Sequence, residues 1–394
     1  MTVPFKENTL RETQYGAVAR FLAMATAIPE GTVAQDDSAV LAQQLNITKR
    51  WHKLLPTLYR KSGVLRRSSV LLDPSEGDLF NRQSFYQVAS TERPFGPTTA
   101  ERMQAYSLHA GPLLERAAKE ALSQARMHAS SITHLITVSC TGFSAPGIDH
   151  HLIDRLGLPM HTQRTHVGFM GCHGMINGLR VAEAVVRSQP DAIAMVGAVE
   201  LCSIHQQYCD DSEQIVANSL FSDGAACVIL ANDSADSAFT DSTSGSGVTA
   251  PWEIVSSFSC KLEETGDMMS WKIGDHGFQM TLSPRVPKII EERLRGPLTR
   301  WLSENHVDVD SVQTWAVHPG GPRILDSVAA CLGLSEKQIE PSRNVLAHYG
   351  NMSSPTVLFI LEKIVSETDP GEYSVVIGFG PGLHTEALLL RRIA

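Results

Sequence analysis

Two stretches of this chain repeat one another at a nearly constant distance, and that duplication limits the fold more than any other feature. In the first, a strand-like HLITV (His134–Val138) runs into SCTGFSAPG, a helix-like HHLIDRLGL and then RTHVGFMGC. In the second, QTWAV (Gln313–Val317) runs into HPGGP, a helix-like RILDSVAACLGL and then RNVLAHYGN. Val138 aligns with Val317, Arg164 with Arg343 and Cys172 with Asn351, each pair 179 positions apart. Further on, DAIAMVGA aligns with YSVVIGFG, placing Gly197 and Gly378 181 apart. Such a period is too long for a solenoid, so we read one core built twice. Each copy alternates apolar strands with helical stretches, which argues an α/β fold with mixed sheets. The continuously apolar IAMVG and VVIGF are the kind of strand that is covered on both faces.

The helix after Asn351 sharpens the architecture. Val357–Leu361 (VLFIL) shows no polar face until Glu362, so it should be buried all round. Its counterpart after Cys172, MINGLRVAEAVV, has a wide apolar face interrupted by Arg180 and Glu183 one turn apart. Two central helices between two sheets satisfy both patterns. The polar stretch Asn232–Gly247 (NDSADSAFTDSTSGSG) reads as the linker, dividing the chain into halves 1–235 and 248–394. Residues 1–96 do not show the repeat and read as an elaboration of the first half. Within them, Ala17–Pro29 ends in a small-x-small pattern like a signal cleavage site. Arg20 interrupts it and a mixed-charge segment precedes it, so a first β-strand entering a Pro-Glu-Gly turn is expected.

Composition removes several classes of function. With 394 residues, 43% hydrophobic and 19% charged, the chain can bury a large core. A net charge of −9 argues against a general nucleic-acid or anionic-membrane surface, and no apolar run is long enough to span a bilayer. Seven cysteines, an odd number in a long chain, read as free thiols of a cytoplasmic protein. No CxxC pair or HExxH occurs, and Cys202-x2-His205-x3-Cys209 lacks a second half, so no metal site is expected. GFGPG lacks the spacing of a dinucleotide-binding loop, and Gly-x-Ser-x-Gly is absent.

Three residues stand out chemically. Cys172, in FMGCHGM at the start of the first buried helix, is the candidate nucleophile; the helix end should favour its thiolate. The alternative is a small buried hydrophobe. His318 follows a strand in VHPGGP, where an immobilised imidazole competes with a solvated loop histidine. Asn351, at the matching helix start in the second copy, is either a site residue or a plain N-cap. Together they suit acyl transfer: a thiolate takes the acyl group while imidazole and amide N–H groups hold an anionic oxygen. That combination fits carbon–carbon bond formation by decarboxylation, without a metal, flavin or nicotinamide.

The motifs GCHG around Cys172, SLFSDGAA (Ser219–Ala226), HPGGPRILD, HYGNMSSPTVLFILEK and GFGPGLHTE resemble the chalcone synthase-like, type III polyketide synthases. The resemblance runs from about residue 15 to the C-terminus. It implies a thiolase-like αβαβα layered fold and a homodimer with independent active sites. Cys172 would carry the acyl group, and His318 and Asn351 would stabilise the enolate of malonyl-CoA, with His318 also helping to form the thiolate. Phe221 matches the gatekeeper aromatic of the CoA tunnel, while Met280 stands where a second Phe is usual, with Phe278 close by. Cys140 falls where plant enzymes carry Thr, and Cys209, Ser353 and Gly382 are further pocket positions. A flexible Met in place of a rigid aromatic implies a differently shaped starter site. CoA phosphates need basic partners. Within the cluster Lys49, Arg50, Lys53, Arg60, Lys61, Arg66 and Arg67, Lys61 is the best match, with Arg323 second. Two other readings stay open: a single-round β-ketoacyl synthase III-like enzyme served by a carrier protein, and a non-catalytic acyl-CoA-binding scaffold.

Overall fold

The computed structural model describes residues 18–45, 50–75, 77–232 and 252–393. The first half starts with β1 (Ala19–Ala27), followed by the short pair β2 (Thr32–Ala34) and β3 (Arg66–Ser68) with α1 (Gln35–Gln44) and α2 (Leu55–Lys61) between them. It continues through α3 (Thr99–Gln124), β4 (His134–Ser139), α4 (Ile148–Leu156), β5 (Gln163–Gly168) and α5 (Gly174–Ser188). β6 (Ile193–Leu201), α6 (Ser212–Leu220) and β7 (Asp223–Asn232) complete it. The second half holds β8 (Trp252–Lys261), a hairpin of β9 (Met269–Gly274) and β10 (Gly277–Leu282), then α7 (Val286–Arg293) and α8 (Arg295–Glu304). It ends with β11 (Val312–Val317), α9 (Pro322–Leu332), α10 (Glu336–Tyr349), α11 (Thr356–Ile364), β12 (Tyr373–Gly380) and β13 (His384–Arg392).

Nine strands run in the order β11-β12-β13-β8-β1-β7-β6-β4-β5. β1 and β8 share only two register pairs, Ala19 with Ile254 and Arg20 with Glu253, so this is two sheets meeting at an edge. Each is mixed: β4 runs parallel to β5 and β6, β11 parallel to β12, and the other neighbours are antiparallel. Helices α3 and α4 cover the outer face of the first sheet, and α7, α8 and α9 that of the second. α5 and α11 fill the space between, where Met175, Ile176, Leu179, Leu358 and Ile360 meet strand residues of both sheets. The result is the αβαβα thiolase-like layering. As the apolar pattern requires, α11 is buried from Thr356 through Leu361 and only Glu362 and Lys363 reach solvent.

The duplication is physical as well as sequential. α4 and α9 both stop at the glycine of an LGL triplet, Gly157 at φ 69° and Gly333 at φ 77°, a left-handed cap that a Cβ would strain. The sheet register refines one alignment: Val138 lies beside Ala198 and Val317 beside Ile377, so β12 follows β6 at the same 179-residue offset. Two expectations are corrected. β1 is not elaboration but a full core strand, the counterpart of β8. Arg164 and Arg343 also differ in setting, one on edge strand β5 and the other inside α10, so the second sheet has one strand fewer. Of the expected linker, Asn232 ends β7 and residues 233–247 lie outside the described residues.

Candidate active site

Cys172 lies in a 3₁₀ turn, Gly171–His173, that carries the chain from β5 into α5. Gly171 adopts φ 78° with its Cα packed against Pro381, a close approach that excludes a side chain. The thiol is buried, and burial pushes it up to about 12; a Ser353 side-chain contact opposes this and the nearby Glu200 charge adds to it. α5 begins two residues later, so the helix end expected to favour the thiolate is set back from the sulfur, and burial works against the charged form.

His318 directly follows β11, its backbone N–H donating to the Ile377 carbonyl at 2.8 Å. It is buried rather than solvated, and burial pulls it down to about 3, with the neighbouring His173 adding to the effect. Neither Nδ1 nor Nε2 has a hydrogen-bond partner among the described residues. Asn351 is not an N-cap, because α11 starts only at Thr356. It instead forms a strand-like bridge beside Phe221, with Asn351 N donating to Leu220 O and Ser222 N to Asn351 O, both at 2.9 Å. Its Oδ1 accepts from Ser353 N at 2.8 Å, leaving Nδ2 to project without a protein acceptor among the described residues.

These groups share one chamber. Cys172, His318, Asn351, Phe221 and Met280 line it with Leu220, Met269 and Ile324, around about 410 Å³ of space that includes its opening to solvent. A contiguous pocket of about 400 Å³ adds Cys140, Cys202, Trp271, Ser353 and Pro381. Met280 rather than Phe278 faces the chamber; Phe278 stacks on His205 at 4.2 Å between ring centres. Cys140 holds the wall in place, its sulfur accepting from Gly171 N at 3.0 Å.

Other expected residues fall elsewhere. Cys209 lines none of these cavities; Cys202 occupies that wall instead, because the chain turns away after His205. Gly382 is a turn residue at φ 77° whose N–H donates to Met269 O, and it is its neighbour Pro381 that touches the pocket. Lys61 and Arg323 are exposed, and Gly63 passing close to Pro322 brings their loops to one face beside Leu220 and Ile324. Arg67 is structural: it donates to the carbonyls of Asn218 at 2.6 Å and Phe221 at 3.0 Å. Lys49 lies outside the described residues.

Two functional-looking residues carried little sequence signal. Glu200 is fully buried behind Cys140, accepting from Cys140 N, Thr141 Oγ1 and Ser354 Oγ at 2.9, 2.8 and 2.6 Å. Desolvation raises it to about 7, against the lowering effect of those donors. A lone carboxylate ending the apolar strand IAMVGAVEL was the only clue. Trp271, on β9, donates from Nε1 to Cys140 O at 2.8 Å. It stands between the chamber and a third cavity of about 710 Å³ reaching Leu41, Leu72 and Tyr86.

A buried thiol facing an unpartnered imidazole and amide is a condensing-enzyme arrangement, and comparison with known proteins agrees. Residues 6–234 match the N-terminal domain of chalcone and stilbene synthases, and residues 253–394 match the C-terminal domain. The chain belongs to the chalcone and stilbene synthase family. Within that family it is 31% identical over 379 residues to an alpha-pyrone synthesis polyketide synthase-like protein of Mycobacterium tuberculosis, covering 94% of this chain and 91% of that protein. It is 33% identical over 282 residues to 1,3,6,8-tetrahydroxynaphthalene synthase of Streptomyces peucetius, 71% and 72% of the two chains. The crystal structure of PKS-I from the brown alga Ectocarpus siliculosus superposes with a TM-score of 0.84 at 29% identity, over 97% of this chain and all of that one. As a family member the protein is a type III polyketide synthase-like condensing acyltransferase.

Proposed function

We propose that the protein is an iterative type III polyketide synthase working on CoA thioesters. A starter acyl-CoA loads onto Cys172, His318 taking the thiol proton and passing it to the departing CoA. Malonyl-CoA then loses CO2 beneath His318 and Asn351, and the enolate attacks the thioester. Repetition lengthens a poly-β-keto chain that cyclises in the same chamber. The observation carrying this reading is the convergence of the free His318 ring nitrogens and Asn351 Nδ2 on the chamber that holds Cys172. Among the described residues no carboxylate lines that chamber, so an enolate would meet hydrogen-bond donors and no competing negative charge. Lys61 and Arg323 are read as partners for the CoA phosphates.

Purified protein supplied with acyl-CoA starters and radiolabelled malonyl-CoA, without carrier protein, should yield multiply extended products. Single extension only would favour the β-ketoacyl synthase reading, and no turnover at all the scaffold reading. Cys172→Ala should abolish loading; undiminished condensation would remove Cys172 from its role. We further infer a homodimer, supported by the exposed edge strand β5, and a cytoplasmic location, supported by the odd count of seven cysteines.

A further inference from the structure

The β9–β10 hairpin brings Met269, Trp271 and Met280 to the chamber, yet it belongs to neither large sheet. Among the described residues its strands pair only with each other, Phe278 opposite Ile273, Met280 opposite Trp271 and Leu282 opposite Met269. Pairing within a larger sheet therefore does not decide which residue of β10 meets Cys172. A slip by two residues keeps every side chain on its face yet brings Phe278 to the place of Met280.

We propose that three side-chain acceptors, His205, Gln214 and Glu213, hold this register and thereby select the acyl groups that the chamber accepts. The proposal rests on the polyketide synthase reading, in which those acyl groups are the starters. In an antiparallel ribbon, alternate N–H groups point away from the partner strand. On β10 these belong to Phe278, Met280 and Leu282, and each meets a side chain of the first half. Phe278 N donates to His205 Nδ1 at 3.0 Å, Met280 N to Gln214 Oε1 at 3.0 Å and Leu282 N to Glu213 Oε2 at 3.1 Å. A free strand edge is received by a ladder of side chains, where a further strand would otherwise pair.

Each acceptor is itself fixed. His205 is buried in the turn after β6, and its Nε2 faces Thr141 O at 2.6 Å. Nε2 must therefore carry the hydrogen, which leaves the Nδ1 lone pair for Phe278. Burial pulls this imidazole down to about 3 and so preserves the acceptor. Its ring stacks on Phe278 at 4.2 Å and meets Trp271 edge-on at 5.6 Å, while Thr141 lines the pocket that holds Cys172. Glu213 and Gln214 occupy the first turn of α6, where Asp211 caps the helix by accepting from Gln214 N at 2.9 Å. The far end of α6 leads into Phe221 on the chamber wall. One helix therefore places Met280 relative to Phe221, and the His205 turn places Trp271 relative to Thr141. None of the three acceptors lines either cavity around Cys172, so they are positioning residues that act through the hairpin.

The test uses full-length Glu213→Met and Gln214→Met proteins, with Glu213→Gln as the conservative variant whose amide oxygen still accepts. Amide hydrogen exchange followed by mass spectrometry reads residues 277–282. Competition between acetyl-CoA and hexanoyl-CoA, read as the acyl mass left on Cys172, gives the loading ratio. Exchange across β10 should accelerate about tenfold in both Met variants and stay at the wild-type rate in Glu213→Gln. The hexanoyl-to-acetyl loading ratio should rise about tenfold in the Met variants, with acetyl loading kept, and return to the wild-type value in Glu213→Gln. Wild-type exchange in both Met variants would overturn the ladder. Faster exchange with an unchanged loading ratio would overturn its part in selection. So would an equal loss of both acyl groups that Glu213→Gln does not restore, which marks a general structural role. Glu213 is only partly buried, so its variants carry the test even if Gln214→Met fails to fold. Wild-type protein that takes up no acyl group would instead overturn the polyketide synthase reading, while hydrogen exchange still judges the ladder.

Discussion

A thiol held up near 12 beside an imidazole held down near 3 describes a pair that is neutral at rest. Burial penalises both charged forms, which predicts that a thiolate–imidazolium pair forms only with substrate in place. Iodoacetamide should therefore inactivate Cys172 slowly at pH 7, with a rate still climbing above pH 9. A plateau below pH 8 in the inactivation profile would contradict the neutral pair. Glu200 supplies a second residue-level test. Burial raises it from 4.5 to about 7, so the folded protein holds that proton more tightly than the unfolded chain. The resulting stability is present at acid pH and is lost as pH climbs from about 4.5 to 7. Relative to Glu200→Gln, wild-type protein should lose about 3 kcal/mol between pH 4 and pH 8, read from denaturant midpoints. Cys172, His318 and Asn351 were legible in the sequence because each sits in a glycine-rich turn at a strand or helix end. Glu200 was not, since its significance comes from donors on β4 and the Ser353–Ser354 turn that only folding brings together.

Among the elements, the β9–β10 hairpin shapes what the chamber can hold. It contributes Met269, Trp271 and Met280, and the indole of Trp271 is pinned by its bond to Cys140 O and flanked by Phe221 and Phe278. Trp271, with Cys202 and Phe221, lines both the Cys172 chamber and the cavity bounded by Leu41, Leu72 and Tyr86. Trp271→Ala should join the two spaces and raise kcat/KM for a medium-chain acyl-CoA relative to acetyl-CoA about tenfold, a shift of roughly 1.4 kcal/mol. Product and starter competition measured by mass spectrometry checks this; an unchanged ratio would show that the indole is not the barrier. Such a wall could not be read from sequence, because facing depends on a two-residue register within the hairpin. β1 was expected as a strand, but the same limit hid its place as the counterpart of β8: ARFLAMATA and WEIVSSFSCK share no pattern, yet both close their sheets at the shared edge. α10 and β5 were aligned through Arg343 and Arg164, landmarks that survive although one segment coils and the other extends.

For the whole molecule, duplication divides the labour. The first half contributes Cys172, the proposed nucleophile, and the second His318 and Asn351, the proposed donors, and the Phe221–Asn351 bridge fixes the halves in one register. What the duplication does not do is close the first sheet. β5 lies at its free edge with five of six residues exposed, whereas the second copy has helix α10 at the matching place. An open edge strand is a template for pairing with another chain, and a second copy of this one is the simplest partner. The apolar surface nearby agrees: Met160, just before β5, is 94% exposed, and Phe143, Phe169 and Met170 are exposed as well. If β5 forms the dimer seam, Met160→Asp should weaken association at least about tenfold while leaving the fold intact, since the residue packs on nothing within its own chain. Sedimentation velocity across a dilution series, paired with a thermal melt of each protein, reads both quantities. A Met160→Asp protein that sediments as wild type at every concentration would move the seam away from β5, and a wild-type monomer would remove the dimer altogether.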